Sequence, residues 1–231
     1  MTLLKKDFKI DSIFVINFVF AFFPISFILG NFATNMNLVL LCVLGIFQLK
    51  SKILKIRFNF FLKIIFLIFF IVFFSTGLNV LKSFYVNGYD YENLVRLIKS
   101  ITFFRYFLML IIVYLLSESN ILNFKYFFIS AAFSSLLVAL DVIYQSIFGF
   151  NIIGLKSHGT HNSGFFGQEW IAGGFIQNFS FFSIFLIVFL LKNRNNFRLG
   201  LTTILICIFG VSILVSGNRM PVILFLFGLI L

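Results

Sequence analysis

The feature that most constrains this chain is a series of long apolar runs that carry almost no charge. Runs such as Ser12–Gly30 and Tyr126–Phe148 are about as long as the roughly 20 residues that an α-helix needs to cross a bilayer. The composition agrees: the 231 residues are 61% hydrophobic and 11% charged, against about 25% charged in ordinary soluble chains. These values exclude a soluble enzyme, a secreted disulfide-stapled domain and a disordered tail. We therefore predict an integral membrane protein.

The apolar runs predict an all-α, polytopic transmembrane helix bundle that forms a single domain over residues 1–231. About eight spans are expected, connected on one side by two long segments at about 77–100 and 149–169. The last span is about half of a crossing at 1.5 Å per residue, so we expect the chain to be the N-terminal part of a longer protein. The predicted spans are Ser12–Gly30, Met36–Leu49, Phe60–Thr76, Ile101–Ser117, Tyr126–Phe148, Trp170–Leu191, Leu199–Ser216 and Pro221–Leu231.

The distribution of basic residues predicts the orientation. The formal net charge is +11, which in a soluble protein would suggest nucleic-acid binding, but cytoplasmic loops of membrane proteins are also enriched in Lys and Arg. With the N-terminus in the cytoplasm, that side holds most of the basic residues: Lys5, Lys6, Lys9, Lys50, Lys52, Lys55, Arg57, Lys63, Lys125, Lys192, Arg194 and Arg198. The other side holds Lys82, Arg96, Lys99, Lys156 and Arg219. This asymmetry predicts a cytoplasmic N-terminus and no nucleic-acid partner.

The outer turn Ser216–Pro221 contains the first candidate binding residue, Arg219. Asn218 is a plausible N-cap and Pro221 suits the first turn of the next helix. Arg219 would then lie where free backbone N–H groups and the positive end of a helix dipole coincide, an arrangement that suits a phosphate. The alternative is an interfacial arginine that extends to lipid head groups.

The outer loop His158–Glu169 is rich in glycine and contains the second group of candidates. Glycines such as Gly164 permit backbone conformations with positive φ and the close approach of a ligand. Glu169 precedes a predicted helix, where an acid either complements the helix dipole or acts as a general base that orients a substrate hydroxyl. His158, His161 and Glu169 could together suggest a metal site, but a His-x-x-His pair on a flexible loop is a weak signal, and we predict no metal.

Two ionisable residues lie inside predicted spans. Arg105 and Asp141 lie about 6 Å and about 10 Å from the outer ends of their spans. Charges at such depths usually face a bundle interior or a wet cavity. Their similar depth permits an Arg105–Asp141 pair, which could be structural or could contact substrate.

The segment Tyr89–Lys99 has apolar residues at helical spacing, which predicts an amphipathic helix at the outer surface. Glu92 and Arg96 are four residues apart, as in a helical surface ion pair. The polar face is either merely solvated or, through Arg96 and Lys99, attracts an anionic lipid.

Taken together, the segment His161–Glu169 before one span and Ser216–Arg219 after the next resemble the O-antigen ligase and O-antigen polymerase superfamily. Members of that family have the pattern Arg-x-x-Gly-Phe-Phe, then Asn or Glu and a small-residue helix, and one span later Ser-Gly-x-Arg. Gly164, Phe165, Glu169 and Arg219 match this pattern, whereas His161 occupies roughly the place of the first Arg. The likeness covers about residues 149–231.

The resemblance implies a glycosyltransferase of the bacterial inner membrane, used in the assembly of surface polysaccharide. It would transfer a glycan from an undecaprenyl-diphosphate carrier to a lipid A-core sugar or to another glycan, without a cofactor. Arg219 would hold the diphosphate, with Arg105 or His161 as a second phosphate contact, and Glu169 would be the base or acceptor-positioning residue. Gly164, Asp141 and Asn218 would support the site.

Two other classes of function stay open at this point. A transporter or flippase for an anionic lipid or glycan would use the same charged residues, although such proteins typically have related halves and ionisable groups near the midplane. A purely structural membrane subunit would make no specific use of Arg219.

Overall fold

The computed structural model describes residues 12–55, 59–87, 91–157, 159–191 and 195–230. These residues form helices connected by turns and one long loop, and the single β-bridge among them joins Phe150 and Lys156. The all-α prediction is therefore confirmed. The α-helices are α1 (Ser12–Ala21), α2 (Phe23–Ile28), α3 (Asn31–Leu49), α4 (Phe60–Asn87), α5 (Tyr91–Glu118), α6 (Phe124–Phe148), α7 (Ala172–Leu190), α8 (Asn195–Val215) and α9 (Arg219–Ile230).

Six of these helices, α3 to α8, are long and apolar enough to cross a membrane. Helices α1 and α9 are apolar but shorter, and the first predicted span is interrupted. Its helix stops at Ala21 and a new one starts at Phe23, with Pro24 in the first turn of α2. Proline lacks the N–H that a continuous helix would need at this position, so the run Ser12–Gly30 forms two short helices that meet at Phe22.

Helices α4 and α5 extend well beyond the spans predicted from hydropathy. Each has 28 residues, or about 42 Å at 1.5 Å per residue. The segment 77–100 was predicted as a long connection, but its described residues, 77–87 and 91–100, are all helical. The predicted amphipathic helix is the N-terminal part of α5, and the predicted Glu92–Arg96 ion pair is confirmed at 3.5 Å.

The chain divides into two compact units, and the first comprises residues 1–16 and 38–122. Within it, α4 packs along α5 through aromatic rings, including Phe69 on Phe103 with ring centroids 4.8 Å apart. Gly45 of α3 lies directly against the side chain of Ile112 on α5. The absence of a side chain at Gly45 thus allows the two helices to approach closely, as is common in membrane bundles.

The second unit comprises residues 17–37 and 123–231, and α6, α7 and α8 form its centre. Helices α6 and α7 are joined by a hydrogen bond between the buried hydroxyls of Ser135 and Ser183, 2.9 Å apart. The core of the second unit is apolar and fully or nearly fully buried: Val138, Ala139, Val142, Ala172, Phe175, Ile176, Phe209, Ile213 and Phe225. Outward positions, such as Phe185 and Phe189, also carry large apolar side chains. Both faces of α7 are therefore apolar, as expected for a helix that contacts lipid.

Several sequence predictions concern residues outside the described ranges, namely His158 and the basic residues Lys5, Lys6, Lys9, Arg57, Lys192 and Arg194. The prediction of a single transmembrane domain over residues 1–231 stays a prediction.

Candidate functional site

The loop between α6 and α7 is anchored to α6 by three polar residues that have no exposed surface, Asp141, Gln145 and Asn151. Asp141 and Gln145 are four residues apart and so lie on one face of α6. The carboxylate of Asp141 accepts hydrogen bonds from the backbone N–H of Ile152 (3.0 Å) and from Nδ2 of Asn151 (3.3 Å). Because these bonds satisfy the buried carboxylate oxygens, Asp141 is a structural anchor of the loop.

Gly164 lies at the centre of this anchor. Its N–H donates to Oε1 of Gln145 at 2.8 Å, and its carbonyl accepts from Nδ2 of Asn151 at 3.0 Å. Its φ is +55°, and a Cβ at this position would lie 3.0 Å from Val142 Cγ2 and 3.1 Å from Asp141 Oδ2. The backbone therefore needs glycine here, both for its conformation and for space. The structure brings together Gly164 and Asp141, two residues that sequence analysis named as supporting the site.

The loop also contacts the turn between α8 and α9, which lies about 50 residues away in sequence. Nδ2 of Asn162 donates to the carbonyl of Val215 at 2.7 Å, and Nδ2 of Asn218 donates to the carbonyl of Trp170 at 2.6 Å. Gly217, with φ +82°, lies so close to the carbonyl of Thr160 that a Cβ would overlap with it. The two segments that carry the family resemblance therefore meet at one end of the second unit.

His161 is packed inside this junction. Its imidazole stacks on the indole of Trp170, with ring centroids 4.4 Å apart and an interplanar angle of 10°. Nδ1 is buried and has no hydrogen-bond partner among the described residues. A buried polar atom that makes no hydrogen bond is energetically costly, and such atoms recur at functional sites.

Arg219 begins α9 and lines a cavity of about 660 Å³ in the second unit. Arg219 is the first residue of α9 and therefore lies at the positive end of the helix dipole. Its guanidinium and the helix dipole both contribute positive potential there. The walls of the cavity are largely aromatic and aliphatic, with two asparagines among them: Phe27, Phe166, Trp170, Ile171, Gly174, Phe175, Asn178, Phe179, Asn218, Arg219, Met220 and Pro221. A cavity of this kind suits an amphiphile with an anionic head and an apolar chain.

Glu169 lies next to Trp170, at the end of the same loop. It is exposed, and its Oε1 accepts a hydrogen bond from Nδ2 of Asn31 at 3.4 Å. It is not part of the cavity wall, and two residues separate it from α7, which begins at Ala172. The carboxylate is therefore accessible to a ligand that approaches from the loop side.

Arg105 belongs to the first unit. There its guanidinium donates a hydrogen bond to the hydroxyl of Tyr106 at 3.1 Å and lies 4.9 Å from the centre of that ring. The roles predicted for Arg105, as a phosphate contact or as the partner of Asp141, stay predictions.

Three residues of this region were missed by sequence reasoning. Trp170 and Asn178 line the cavity and Asn31 holds Glu169. Asn178 could have been found, because a polar residue within an apolar span commonly faces a cavity or a neighbouring helix. Within the described part of the chain, no group of three or more His, Cys, Asp or Glu side chains could hold a metal ion.

Comparisons with family models, with curated proteins and with solved structures give no match to this chain.

Proposed function

We propose that the protein is a membrane glycosyltransferase of the O-antigen ligase or polymerase type. It would transfer a glycan from an undecaprenyl-diphosphate carrier to a hydroxyl of a lipid A-core or glycan acceptor. The observation that carries the proposal is the position of Arg219, which combines a cation and a helix N-terminus at the edge of an aromatic cavity. Both parts of a polyprenyl diphosphate find a partner there: the diphosphate on Arg219, and the chain on the apolar walls.

The diphosphate is also the leaving group of the reaction. When the glycosidic bond to the carrier breaks, negative charge develops on the diphosphate, and a preorganised cation stabilises that charge. Arg219, the first residue of α9, supplies the cation. The adjacent Asn218 donates a hydrogen bond to the carbonyl of Trp170. Asn178 adds an amide on the wall of the same cavity, within reach of a polar part of the ligand.

Glu169 is the residue proposed to act on the acceptor. A carboxylate that accepts the proton of the attacking hydroxyl is a common general base, and Oε1 of Glu169 accepts a hydrogen bond from Asn31. His161 is proposed as a further phosphate contact. The role of His161 as a phosphate contact is supported by its Nδ1, which has no hydrogen-bond partner among the described residues. A small movement of the junction would expose that atom to a ligand.

The proposal includes a topology and a location. The chain would lie in the bacterial inner membrane with about eight spans and a cytoplasmic N-terminus, which places the junction and Arg219 on the periplasmic side. The contacts of the loop with Asn31 and with the α8–α9 turn support this, because alternating spans would bring these segments to the same side.

The test is the replacement of Arg219 in the complete protein. Arg219→Ala should lower glycan transfer, measured as glycan ladders on gels of membranes, by about 10-fold to 100-fold, the loss expected when a charge-assisted hydrogen bond of about 1.5–3 kcal/mol is removed. Arg219→Lys should recover only part, because a lysine lacks the planar fork that binds phosphate bidentately. The binding of undecaprenyl diphosphate to the purified protein should fall in parallel.

Arg198→Ala is the matched control, because Arg198 is an arginine near the start of α8 in the same unit, outside the cavity wall. It should leave transfer and binding unchanged. Normal ladders with Arg219→Ala, at wild-type amounts of protein in the membrane, would reject the proposed role.

A further inference from the structure

A second cavity, in the first unit, is lined by residues of α4 and α5 and has no part in the proposed function. Its volume is about 490 Å³, and it is lined by Val72, Thr76, Asn79, Val80, Ser83, Asn93, Arg96, Lys99, Ser100 and Phe103. We call it the α4/α5 groove. We infer that the α4/α5 groove binds the phosphate head group of an anionic phospholipid from the surrounding bilayer.

The groove has a polar end and an apolar end. The polar end lies near the C-terminus of α4 and the N-terminus of α5. There Nδ2 of Asn93 donates to Oγ of Ser83 at 2.7 Å, which joins α5 to α4. At the opposite end lie Val72 and Phe103, and Phe103 is stacked on Phe69. The twelve residues from Val72 to Ser83 span about 17 Å along α4. This length accommodates a head group together with the first part of an acyl chain.

The polar end falls at the depth of lipid head groups. Helix α4 is about 42 Å long, whereas the hydrocarbon core is about 30 Å thick, so roughly eight residues extend beyond it. Apart from Lys63 in its first turn, the N-terminal half of α4 is apolar, and the other polar residues lie in the C-terminal half: Ser75, Thr76, Asn79, Lys82, Ser83 and Asn87. Most of the excess therefore lies at the C-terminal end of α4, and the groove crosses the boundary between acyl chains and head groups.

Two cations give the groove its preference for an anion. Arg96 and Lys99 both line it, and Asn79 adds an amide. Arg96 also forms its ion pair with Glu92, in which both side chains are largely exposed, at 66% and 76%. Ion pairs that exposed are weak, so a phosphate can draw Arg96 away from Glu92. Charge-assisted hydrogen bonds from Arg and Lys to phosphate are among the stronger contacts that proteins make.

The test uses the purified full chain and native mass spectrometry with phosphatidylglycerol, phosphatidylcholine and inorganic phosphate as probes. The wild type should retain phosphatidylglycerol at least about 10-fold better than phosphatidylcholine. A difference of about 10-fold in affinity corresponds to about 1.4 kcal/mol, roughly the contribution of one strong ionic contact. Inorganic phosphate at equal concentration should not displace the lipid, because it makes no contact with the apolar end. Displacement by inorganic phosphate would show a site for a soluble anion and would overturn the inference, as would equal retention of the two lipids.

The variants locate the site. The double change Arg96→Gln and Lys99→Gln should remove the preference for phosphatidylglycerol, whereas Lys82→Gln, on α4 but outside the lining of the groove, should leave it unchanged. Glu92→Gln should increase retention of phosphatidylglycerol severalfold, since it removes the carboxylate that competes for Arg96. This last variant keeps the inference testable if the double variant does not fold. Unchanged retention in the double variant, or no increase with Glu92→Gln, would contradict the inference.

Discussion

Gly217 connects the two segments of the candidate site through close contact of their backbones. Its φ of +82° is unfavourable for other residues, and a Cβ would overlap with the carbonyl of Thr160 and lie 2.6 Å from Nδ1 of His161. A backbone carbonyl cannot turn aside as a flexible side chain can. The junction between the loop and the α8–α9 turn therefore depends on the absence of a side chain at this position.

We predict that Gly217→Ala lowers the free energy of unfolding in detergent by about 1–3 kcal/mol, the cost typical of a strained backbone position. A matched control is Gly200→Ala in α8, where nothing lies within 4 Å of the added Cβ and φ is ordinary. That change should be neutral or slightly stabilising, because alanine favours helix. Thermal unfolding of both variants measures the difference, and equal midpoints would refute the strain at Gly217.

For Asp141, the sequence predicts that the side chain is buried but not which groups it contacts. Its depth in an apolar run marks it as a residue that must be satisfied inside the protein, and it is fully buried. The partners that the structure gives it are the backbone N–H of Ile152 and the side chain of Asn151, on a loop that folds back onto α6. Every residue except proline has a backbone N–H, so the sequence alone does not indicate which N–H will bind the carboxylate.

Helix packing in the first unit depends on Gly45 in a way that can be tested by compensation. A Cβ at Gly45 would overlap with Cγ2 of Ile112. Because isoleucine is branched at Cβ, its Cγ2 cannot move away by a simple rotation of the side chain. The contact between α3 and α5 therefore leaves no room at this position.

We predict that Gly45→Ala lowers the free energy of unfolding by about 1–3 kcal/mol through overpacking. Ile112→Ala alone should also destabilise, by about 2–5 kcal/mol, but the double variant should lose clearly less than the two changes combined, because each relieves the defect of the other. Gly77→Ala, with open space around the added Cβ, is the control and should have little effect. Strict additivity in a double-mutant cycle, measured by unfolding in detergent mixtures, would refute the contact.

At the scale of elements, hydropathy predicted that helices exist but not where they end. The run Ser12–Gly30 is almost entirely apolar, and only Pro24 indicates the interruption of the helix at Phe22. Conversely, α4 continues to Asn87 through Asn79, Lys82 and Ser83, where the apolar pattern has already ended. Helical hydrogen bonding is indifferent to the polarity of side chains, so a helix can leave the membrane without unwinding.

The whole molecule has a definite orientation if the asymmetry of Lys and Arg governs its insertion. Gln168 and Asn195 are both exposed, and they lie before α7 and at the start of α8 in the second unit. Since α7 is long enough to cross the membrane, these two positions should lie on opposite sides.

We predict that a cysteine at Gln168 reacts with a membrane-impermeant maleimide in intact cells, and that a cysteine at Asn195 reacts only after permeabilisation. The background for both variants should carry Cys42→Ala and Cys207→Ala, which remove the native thiols. The opposite pattern of labelling would reverse the predicted orientation. Labelling of both positions in intact cells would mean that α7 does not cross the membrane.

The meeting of His161 with Gly217 shows why the candidate site could be predicted only in part at this scale. The two glycine-containing motifs and Arg219 are visible in the sequence, and their order along the chain suggested one site. Their contacts, from Asn162 to Val215 and from Asn218 to Trp170, use backbone carbonyls on one side of each bond. The cavity is also formed partly by Phe27, from a helix far away in sequence, and no local pattern marks one phenylalanine among 39.

Trp170 gives the molecule an internal spectroscopic reporter. It is the sole tryptophan of the chain, one of its faces is covered by His161, and it forms part of the wall beside Arg219. Indole emission depends on the polarity of its surroundings and on contact with a neighbouring ring. The tryptophan emission of the unlabelled protein therefore comes from the junction alone, so the proposed binding of a lipid in that cavity could be followed in real time without any added dye.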